Sequence, residues 1–243
     1  VAESIANFLD DEAASSGIAG FVIGMAGGVD SALSSMRAAM TGRPTICVTL
    51  RIHQPGSHIS RADEHIRQLA GRYPNVSAAS ADLTGTFDTF MSALPEGADA
   101  EKQQRNAANA RSRLRMAALY FFAGQHNAIV VGTGNKVEDF GVGFFTKYGD
   151  GGVDISPIAD LTKSEVFELA AYLGVPRSIL DAAPTDGLFG DDRTDEQQIG
   201  ASYPELEWAM EQVEHGADPS SFDGRQREVL DIYLRRNRAN RHK

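Results

Sequence analysis

The sequence predicts an α/β fold, a doubly wound parallel sheet flanked by helices. Short continuous apolar runs alternate with stretches of helical periodicity, and glycine or proline marks most boundaries between them. The chain has 243 residues, of which 42% are hydrophobic, so it can bury a core of its own. We therefore expect a single domain over 1–243, with an α/β core over 1–160 and a helical C-terminal part over 161–243.

The first predicted elements form a βαβ unit. Apolar residues at helical spacing predict a helix over 4–14, and an apolar strand follows over 21–25. A glycine-containing turn leads into a helix over 31–40, which Gly42 ends, and the run over 45–50 is typical of a second buried strand. The glycine turn therefore connects the end of a strand to the start of a helix.

The alternation continues through the middle of the chain. We predict helices over 60–71 and 100–124, and strands over 76–83 and 128–131. Because each strand is a continuous apolar run rather than an alternating one, both faces of the sheet should be covered.

The last third of the chain has the signals of a helical region. Thr162 with Glu165 and Ser202 with Glu205 match the capping-box pattern that begins a helix. The segment 184–196, which is rich in glycine, aspartate and threonine, predicts a loop between them.

Composition and charge exclude several classes of function. A net charge of −10 and a pI near 5.0 disfavour a protein that wraps nucleic acid on a basic surface. No apolar run approaches the ~20 residues of a membrane helix, so we expect no membrane partner. The single cysteine, Cys47, lies in an apolar run and should be a buried, unreactive thiol, which fits a cytoplasmic setting. We expect His53, His58 and His65 to be surface or loop residues, because their spacing matches no common zinc site.

The strongest local signal is the turn after the first strand. It reads Gly24-Met25-Ala26-Gly27-Gly28-Val29-Asp30-Ser31. Paired glycines allow backbone N–H groups to surround an anion, the following helix adds a positive dipole, and Ser31 offers a hydroxyl donor. The turn lacks the lysine of a Walker loop and the spacing of a dinucleotide fingerprint. Asp30 would repel a bare phosphate but suits a Mg²⁺ that bridges its carboxylate to pyrophosphate. The alternative is a tight strand-to-helix turn capped by an aspartate.

A second block of residues supports the phosphate interpretation. Residues 132–138 (GTGNKVE) and 144–154 (FFTKYGDGGVD) follow the last predicted strand. The turn over 24–31 resembles the SGGxDS loop of the ATP pyrophosphatase (PP-loop) group, whose fold is adenine nucleotide α-hydrolase-like. With the second block, the chain resembles the ammonia-dependent NAD synthetases along nearly its whole length.

The resemblance implies an ATP site and a metal site. ATP would contact the loop 24–31 and four further residues, Arg51, Thr133, Lys163 and Thr185. Asp30 and Glu138 would bind Mg²⁺, and the catalytic residues would be Asp30, Ser31 and Lys163. The charge of Lys163 suits this role independently, because a lysine at a helix start can neutralise departing pyrophosphate. A solvated surface lysine is the alternative.

The resemblance also implies a site for deamido-NAD⁺. Its proposed contacts are Arg113, Lys147, Asp154, His242 and Lys243. Arg113 offers a planar fork for phosphates, although a solvated arginine is equally compatible with the sequence. For Lys147 and Asp154 the alternative is an ordinary polar turn, and the last two residues lie at a chain end, where fraying is common.

Three features depart from the family pattern. Ala26 stands where family loops have serine, so one hydroxyl near the pyrophosphate is missing. One extra residue lies between Glu138 and Thr146, which makes Asp139 a rival metal ligand. Residues 52–55 also differ from the usual sequence beside the nucleotide.

The implied reaction amidates a carboxylate at the expense of ATP. The nicotinate carboxylate of deamido-NAD⁺ would attack the α-phosphorus of ATP, and ammonia would then displace AMP from the acyl adenylate, with the enzyme acting as a homodimer. Two alternatives remain open: a related amide synthetase acting on another acid, and a nucleotide-binding paralogue without catalysis. Retention of Asp30 and Glu138 argues against the second. The acidic charge and single cysteine disfavour a tRNA-thiolating relative.

Overall fold

The centre of the molecule is a four-stranded parallel sheet. The computed structural model describes residues 2–54, 56–185, 187–188 and 194–243. The strands are β1 Gly20–Gly24, β2 Thr45–Arg51, β3 Val76–Asp82 and β4 Ala128–Val131, in the order β3-β2-β1-β4. The chain adds β2 and β3 on one side of β1 and then returns to place β4 on the other side. The predicted α/β fold is confirmed, and all four predicted strands form.

Ten α-helices occur among the described residues. They are α1 Ala2–Ser16, α2 Val29–Met40, α3 Gly56–Arg72, α4 Thr84–Ser92, α5 Ala100–His126, α6 Lys163–Leu173, α7 Arg177–Leu180, α8 Asp195–Ile199, α9 Tyr203–Glu214 and α10 Gly224–Asn240. A π-helical turn, Lys136–Val142, follows β4, and a 3₁₀ turn, Pro219–Ser221, precedes α10. None of the described helices combines the length and apolarity that a bilayer span requires.

Several elements differ from the sequence prediction, among them the short helix α7 and the π-helical turn, which were not predicted. Helix α4 was not predicted, because Leu83 at its N-cap offers no side-chain acceptor. The loop predicted over 184–196 ends earlier, because Thr194 and Gln197 form a capping box that begins α8. Residues 55, 186 and 189–193 lie outside the described part of the chain.

Different helices cover the two faces of the sheet. Successive residues of β1 alternate between the faces: Phe21 and Ile23 pack with α1, α2, α3 and α6, whereas Val22 packs with α5. Cys47 of β2 is fully buried in the first cluster, and burial raises the pKa of its thiol to about 12. The prediction of a buried cysteine is confirmed.

A second apolar cluster joins the C-terminal helices to the segment after β4. Val137 and Val142 of the π-helical turn pack against α9 and α10 through residues such as Leu206. Trp208 of α9 lies edge-on to Phe222, with 5.2 Å between ring centroids. Helix α9 therefore lies directly against the residues that follow β4.

The expectation of a surface position for His65 is wrong. His65 is fully buried on the inner face of α3, and its Nε2 lies 3.0 Å from the hydroxyl of Ser35 on α2. Burial lowers the pKa of His65 to about 4, so the ring is neutral at physiological pH. Within the described residues, no group of three or more His, Cys, Asp or Glu side chains is arranged to hold a metal ion.

Candidate active site

The candidate site lies where the order of the strands reverses. β1 and β4 are neighbours in the sheet, but the chain leaves β1 toward β2 and reaches β4 only after crossing back. In an open parallel sheet, the loops at such a reversal separate and leave a crevice at the carboxyl ends of the strands. Here the loop 24–31 follows β1, residues 132–138 follow β4, and both contribute to one cleft.

The loop 24–31 has the backbone geometry of a tight turn into a helix. Gly27 has a φ of +79°, and a Cβ at this position would lie 2.5 Å from the carbonyl oxygen of His58, so glycine is required. Gly28 is the N-cap of α2, which puts Asp30 in the first helical turn. The hydroxyl of Ser31 donates to the Gly28 carbonyl over 3.0 Å. Ala26 is exposed on the wall of the cleft.

Asn135 links the two loops of the cleft. Its side-chain oxygen accepts hydrogen bonds from the backbone N–H groups of Val137 and Glu138, at 3.1 and 3.0 Å. Its Nδ2 donates to Asp30 Oδ1 over 3.1 Å. Sequence analysis did not assign Asn135 this role, although an asparagine before a helical turn is a recognisable capping signal.

Lys163 of α6 contacts residues of two other segments, α2 and the turn after β4. It is the first residue of α6, which begins with the predicted capping box of Thr162 and Glu165. Its Nζ lies 2.6 Å from Asp30 Oδ2 and 2.8 Å from Glu138 Oε1, and its side chain is only 3% exposed. Three of the predicted catalytic and metal-binding residues, Asp30, Glu138 and Lys163, therefore meet at one buried point.

One ammonium shared by two carboxylates leaves an excess of negative charge. Burial raises the pKa of Asp30, although the charge of Lys163 opposes this change. Burial alone would also raise the pKa of Glu138, but the Lys163 charge and the hydrogen bonds from Lys163 and Tyr203 outweigh it and lower the pKa. The pKa of Lys163 is raised, because the two carboxylates outweigh the effect of burial. The arrangement favours ionised Glu138 and Lys163, with Asp30 the easier carboxylate to protonate.

Helix α9 supports this cluster from the side. The Tyr203 hydroxyl donates to Glu138 Oε1 and also lies 3.1 Å from Asp195 Oδ2. One helical turn later, Glu207 accepts hydrogen bonds from the backbone N–H and hydroxyl of Ser164, at 2.9 and 2.7 Å. These contacts connect residues that are distant in sequence, so no local pattern predicts them.

Asp139 lies beside the cluster without contacting Lys163. Burial, with the neighbouring charges of Asp150 and Glu138, raises its pKa to about 8. A Cβ on Gly134 would lie 1.9 Å from Asp139 Oδ2, so this carboxylate packs directly over the glycine backbone. The π-helical turn, Lys136–Val142, overlaps the segment between Glu138 and Thr146 in which the sequence has one extra residue. Glu138 as the metal ligand stays a prediction, with Asp139 as its rival.

The remaining predicted ATP contacts divide into two groups. Thr133 and Thr185 line the cleft. Arg51 is the exposed last residue of β2 and is not among the described residues that line it. All three assignments stay predictions.

Four of the five predicted substrate residues lie close together on a neighbouring surface. Arg113 Nε donates to the Lys147 carbonyl over 3.1 Å, and Lys147 Nζ donates to the His242 carbonyl over 2.5 Å. Lys243 Nζ donates to the carbonyls of Gly143 and Phe145, each over 2.6 Å.

Asp154 is separate from this group. It accepts hydrogen bonds from the Tyr120 hydroxyl and from the backbone N–H of Val130, at 2.8 and 2.7 Å. The preceding residue, Val153, lines the cleft, whereas Asp154 lines a second pocket beside α1. The role of Asp154 in substrate binding stays a prediction.

The family model described as NAD synthase matches residues 1–243. The chain belongs to the NAD synthase family. Among curated relatives, the NH₃-dependent NAD⁺ synthetase of Methanosarcina mazei is 36% identical over 244 residues, which cover 98% of this chain and 93% of the relative. The enzyme of the same name from Archaeoglobus fulgidus is 38% identical over 225 residues, which cover 89% of this chain and 84% of the relative.

A solved structure agrees with the described fold. The structure of NMN synthetase from Francisella tularensis superposes with a TM-score of 0.84 and 32% sequence identity. The alignment covers 99% of this chain and 93% of that chain. The sequence-based assignment to the NAD synthetases is therefore confirmed at the level of the family, and the PP-loop fold class with it.

Proposed function

We propose that this member of the NAD synthase family is an ammonia-dependent NAD⁺ synthetase. It would amidate the nicotinate carboxylate of deamido-NAD⁺ and convert ATP to AMP and pyrophosphate. The observation that carries the proposal is the contact of Lys163 with Asp30 and Glu138 at the carboxyl ends of β1 and β4. A protein that only binds nucleotide has no need to stabilise a leaving pyrophosphate, which this cluster is placed to do.

The residues of the chain would act mainly by positioning and by charge. The loop 24–31 and the N-terminus of α2 would hold the pyrophosphate part of ATP, which leaves the α-phosphorus open to the substrate carboxylate. Attack by that carboxylate forms the acyl adenylate and releases pyrophosphate. Lys163 would stabilise the charge on the leaving pyrophosphate, because its ammonium lies beside the loop. Ammonia then attacks the acyl carbon, and AMP leaves.

A magnesium ion fits the acidic end of the cleft. Asp30 and Glu138 come together at the same end of the cleft, so a cation beside Lys163 could contact a carboxylate from each. Two carboxylates are an ordinary protein contribution to Mg²⁺, which takes its other ligands from water and phosphate. Bound there, the ion would neutralise phosphate charge during adenylation. Asp30 and Glu138 are therefore the proposed ligands.

The cluster of Arg113, Lys147, His242 and Lys243 would bind deamido-NAD⁺ beside the cleft.

The same proposal includes a homodimer in the cytoplasm. Phe121 of α5 is 64% exposed and offers apolar surface to a second copy. Light scattering after gel filtration measures the assembly, and a monomeric mass at micromolar concentration would contradict the homodimer.

A second candidate substrate has the same reacting group. The Francisella tularensis relative carries the name NMN synthetase, so the acid could be the mononucleotide rather than the dinucleotide. Ala26 and the departures over 52–55 of the sequence allow such a difference. Both acids carry a pyridine carboxylate, and the chemistry at the α-phosphorus would be identical.

A product assay tests the proposal and its rivals together. The protein is mixed with Mg-ATP, ammonium and one of the two acids, and AMP, pyrophosphate and the amide are followed in parallel, with Asp30→Asn as the inactive control. We expect equal amounts of AMP and NAD⁺ with deamido-NAD⁺. Turnover of the mononucleotide alone supports the second candidate. Binding of ATP without turnover of either acid contradicts both.

A further inference from the structure

Arg61 of α3 is a cation in the cleft that the proposed reaction has not used. It lines the cleft together with the loop 24–31, and its Nε donates to the carbonyl of Gly27 over 3.3 Å. Within the described parts of the chain, no carboxylate pairs with Arg61. A guanidinium carries further N–H donors on its two terminal nitrogens, so Arg61 retains donors for a ligand.

The backbone around the loop holds Arg61 at this position. The first turn of α3 packs so closely on the loop that a Cβ on Gly27 would lie 2.5 Å from the His58 carbonyl oxygen. Residues three apart lie on the same side of a helix, so His58 and Arg61 face the loop together. Arg67, on the same helix, is exposed, and its Nε bonds only to the carbonyl of Asp63 one turn earlier. Arg61 therefore differs from an ordinary surface arginine of α3.

The charges that line the cleft indicate which ligand Arg61 could bind. The acidic lining residues of the cleft are Asp30, Glu138, Asp139, Asp150 and Asp195. Lys163 is already shared by two of these carboxylates. The phosphate chain of ATP is strongly anionic, and guanidinium groups form strong, charge-assisted hydrogen bonds with phosphate oxygens. Arg61, directly beside the loop, would therefore add positive charge where the phosphates are expected to lie.

We propose that Arg61 binds the pyrophosphate portion of ATP at the loop 24–31. Ala26 precedes Gly27 and provides no hydroxyl at the position where family loops have serine. Arg61, which bonds to Gly27, supplies the donors that Ala26 lacks. The proposal rests on the proposed use of ATP and adds a phosphate-binding residue to that site.

Calorimetric titrations of ATP and AMP test the assignment. The Arg61→Gln variant is compared with the wild type, with Arg61→Lys, and with Arg67→Gln as the matched control. We expect Arg61→Gln to weaken ATP binding roughly ten- to hundredfold, the loss of a charge-assisted hydrogen bond. AMP, which lacks the pyrophosphate, should bind with nearly unchanged affinity, and Arg61→Lys should retain part of the ATP affinity. Equal losses for ATP and AMP, or no loss for ATP, would overturn the assignment.

A double variant tests the relation to Ala26. Ala26→Ser is added to the Arg61→Gln variant and, separately, to the wild type. The gain in ATP affinity should be larger in the Arg61→Gln background, because the new hydroxyl there replaces the donor that Arg61 supplied. Equal gains in both backgrounds would overturn the compensation. These titrations need no turnover, so a protein that binds ATP but makes no amide refutes the proposed function only. Conversely, an active enzyme whose Arg61→Gln variant binds ATP normally refutes the role of Arg61 only.

Discussion

At the scale of single residues, the buried ammonium of Lys163 organises the site. It lies between Asp30 and Glu138, which come from α2 and from the turn after β4. An arriving phosphate would find this cation already desolvated, and desolvated charges interact more strongly than exposed ones. The same contact makes the free protein depend on Lys163 for its stability.

Replacing Lys163 with glutamine should destabilise the folded chain. The change leaves two buried carboxylates without their shared counter-ion, and breaking a buried ion pair in this way costs about 3–5 kcal/mol. Urea unfolding at pH 7 measures the free energy of unfolding. Lys102→Gln is the control, because Lys102 is 71% exposed and should cost under ~0.5 kcal/mol. Equal effects of the two changes would contradict the prediction.

Replacing Tyr203 with phenylalanine should weaken metal binding more than it alters folding. The ring and its contact with Lys163, at 4.9 Å, are kept, but Glu138 loses the hydroxyl that orients it. We expect the Mg²⁺ concentration for half-maximal ATP binding to rise about tenfold, the effect of one hydrogen bond to a charged group. Tyr172→Phe is the control, because Tyr172 is 82% exposed. A Mg²⁺ dependence equal to that of the control would reduce Tyr203 to a packing role.

The sequence identifies the charged residues of the site better than it identifies the residues that hydrogen-bond to them. Asp30, Glu138 and Lys163 belong to family motifs, and the structure brings them together. Asn135 and Tyr203 act through contacts between segments, so their roles depend on the packing of α9 and of the turn after β4. A helical pattern likewise does not reveal which arginine of α3 faces a cleft.

At the scale of secondary-structure elements, the start of α6 determines where Lys163 lies. Thr162 accepts from the backbone N–H of Glu165, and Glu165 accepts from that of Thr162. Glu207 adds two further acceptor contacts at Ser164. The first turn of α6 is therefore held from within the helix and from α9.

Removal of the α6 cap should affect stability and ATP binding together. Thr162→Ala should cost about 1 kcal/mol and weaken ATP binding, because Lys163 is the next residue. Asp99 caps α5 by accepting from the backbone N–H of Lys102, away from the cleft. Asp99→Ala should therefore cost a similar stability without changing ATP affinity. Urea unfolding and ATP titration of both variants measure the two effects, and an equal loss of ATP affinity in both would contradict the role of the α6 cap.

Strands β1, β2 and β4 were predictable because each is an apolar run between breaking residues, and the observed bounds of all four strands differ little from the predictions. Strand β3 lies at the edge of the sheet and contains polar, largely exposed residues, so the continuous apolar run expected for every strand is wrong there. Helix α4 lacks a capping side chain, and α8 is short, so its capping box was outweighed by the glycine- and aspartate-rich sequence before it. The π-helical turn depends on packing against α9 and α10, which local periodicity does not contain.

At the scale of the whole molecule, the fully buried His65 couples stability to pH. The folded-state pKa of about 4 lies below the ordinary value of 6.5. The unfolded chain therefore takes up the proton first as the pH falls. Above about pH 6.5, His65 is neutral in both states and the free energy of unfolding does not depend on its titration. As the pH falls from about 6.5 to about 4, protonation of the unfolded chain lowers the free energy of unfolding by about 3 kcal/mol in all.

Replacing His65 with glutamine should flatten this pH dependence. Between pH 7 and pH 5, wild-type stability should fall by about 2 kcal/mol more than that of the variant. Urea unfolding at both pH values provides the comparison. His126→Gln, at an exposed position of α5, should retain the wild-type slope. A slope that His65→Gln leaves unchanged would assign the acid sensitivity to other groups.

The position of Trp208 gives the molecule an intrinsic optical reporter. It is the single tryptophan of the chain, and it follows Glu207, which holds the start of α6. Its ring packs against Phe222, outside the cleft, so a nucleotide need not touch the indole to alter its surroundings. Emission from one defined position allows stopped-flow fluorescence to follow events at α6 in unlabelled protein, on the millisecond scale of a turnover.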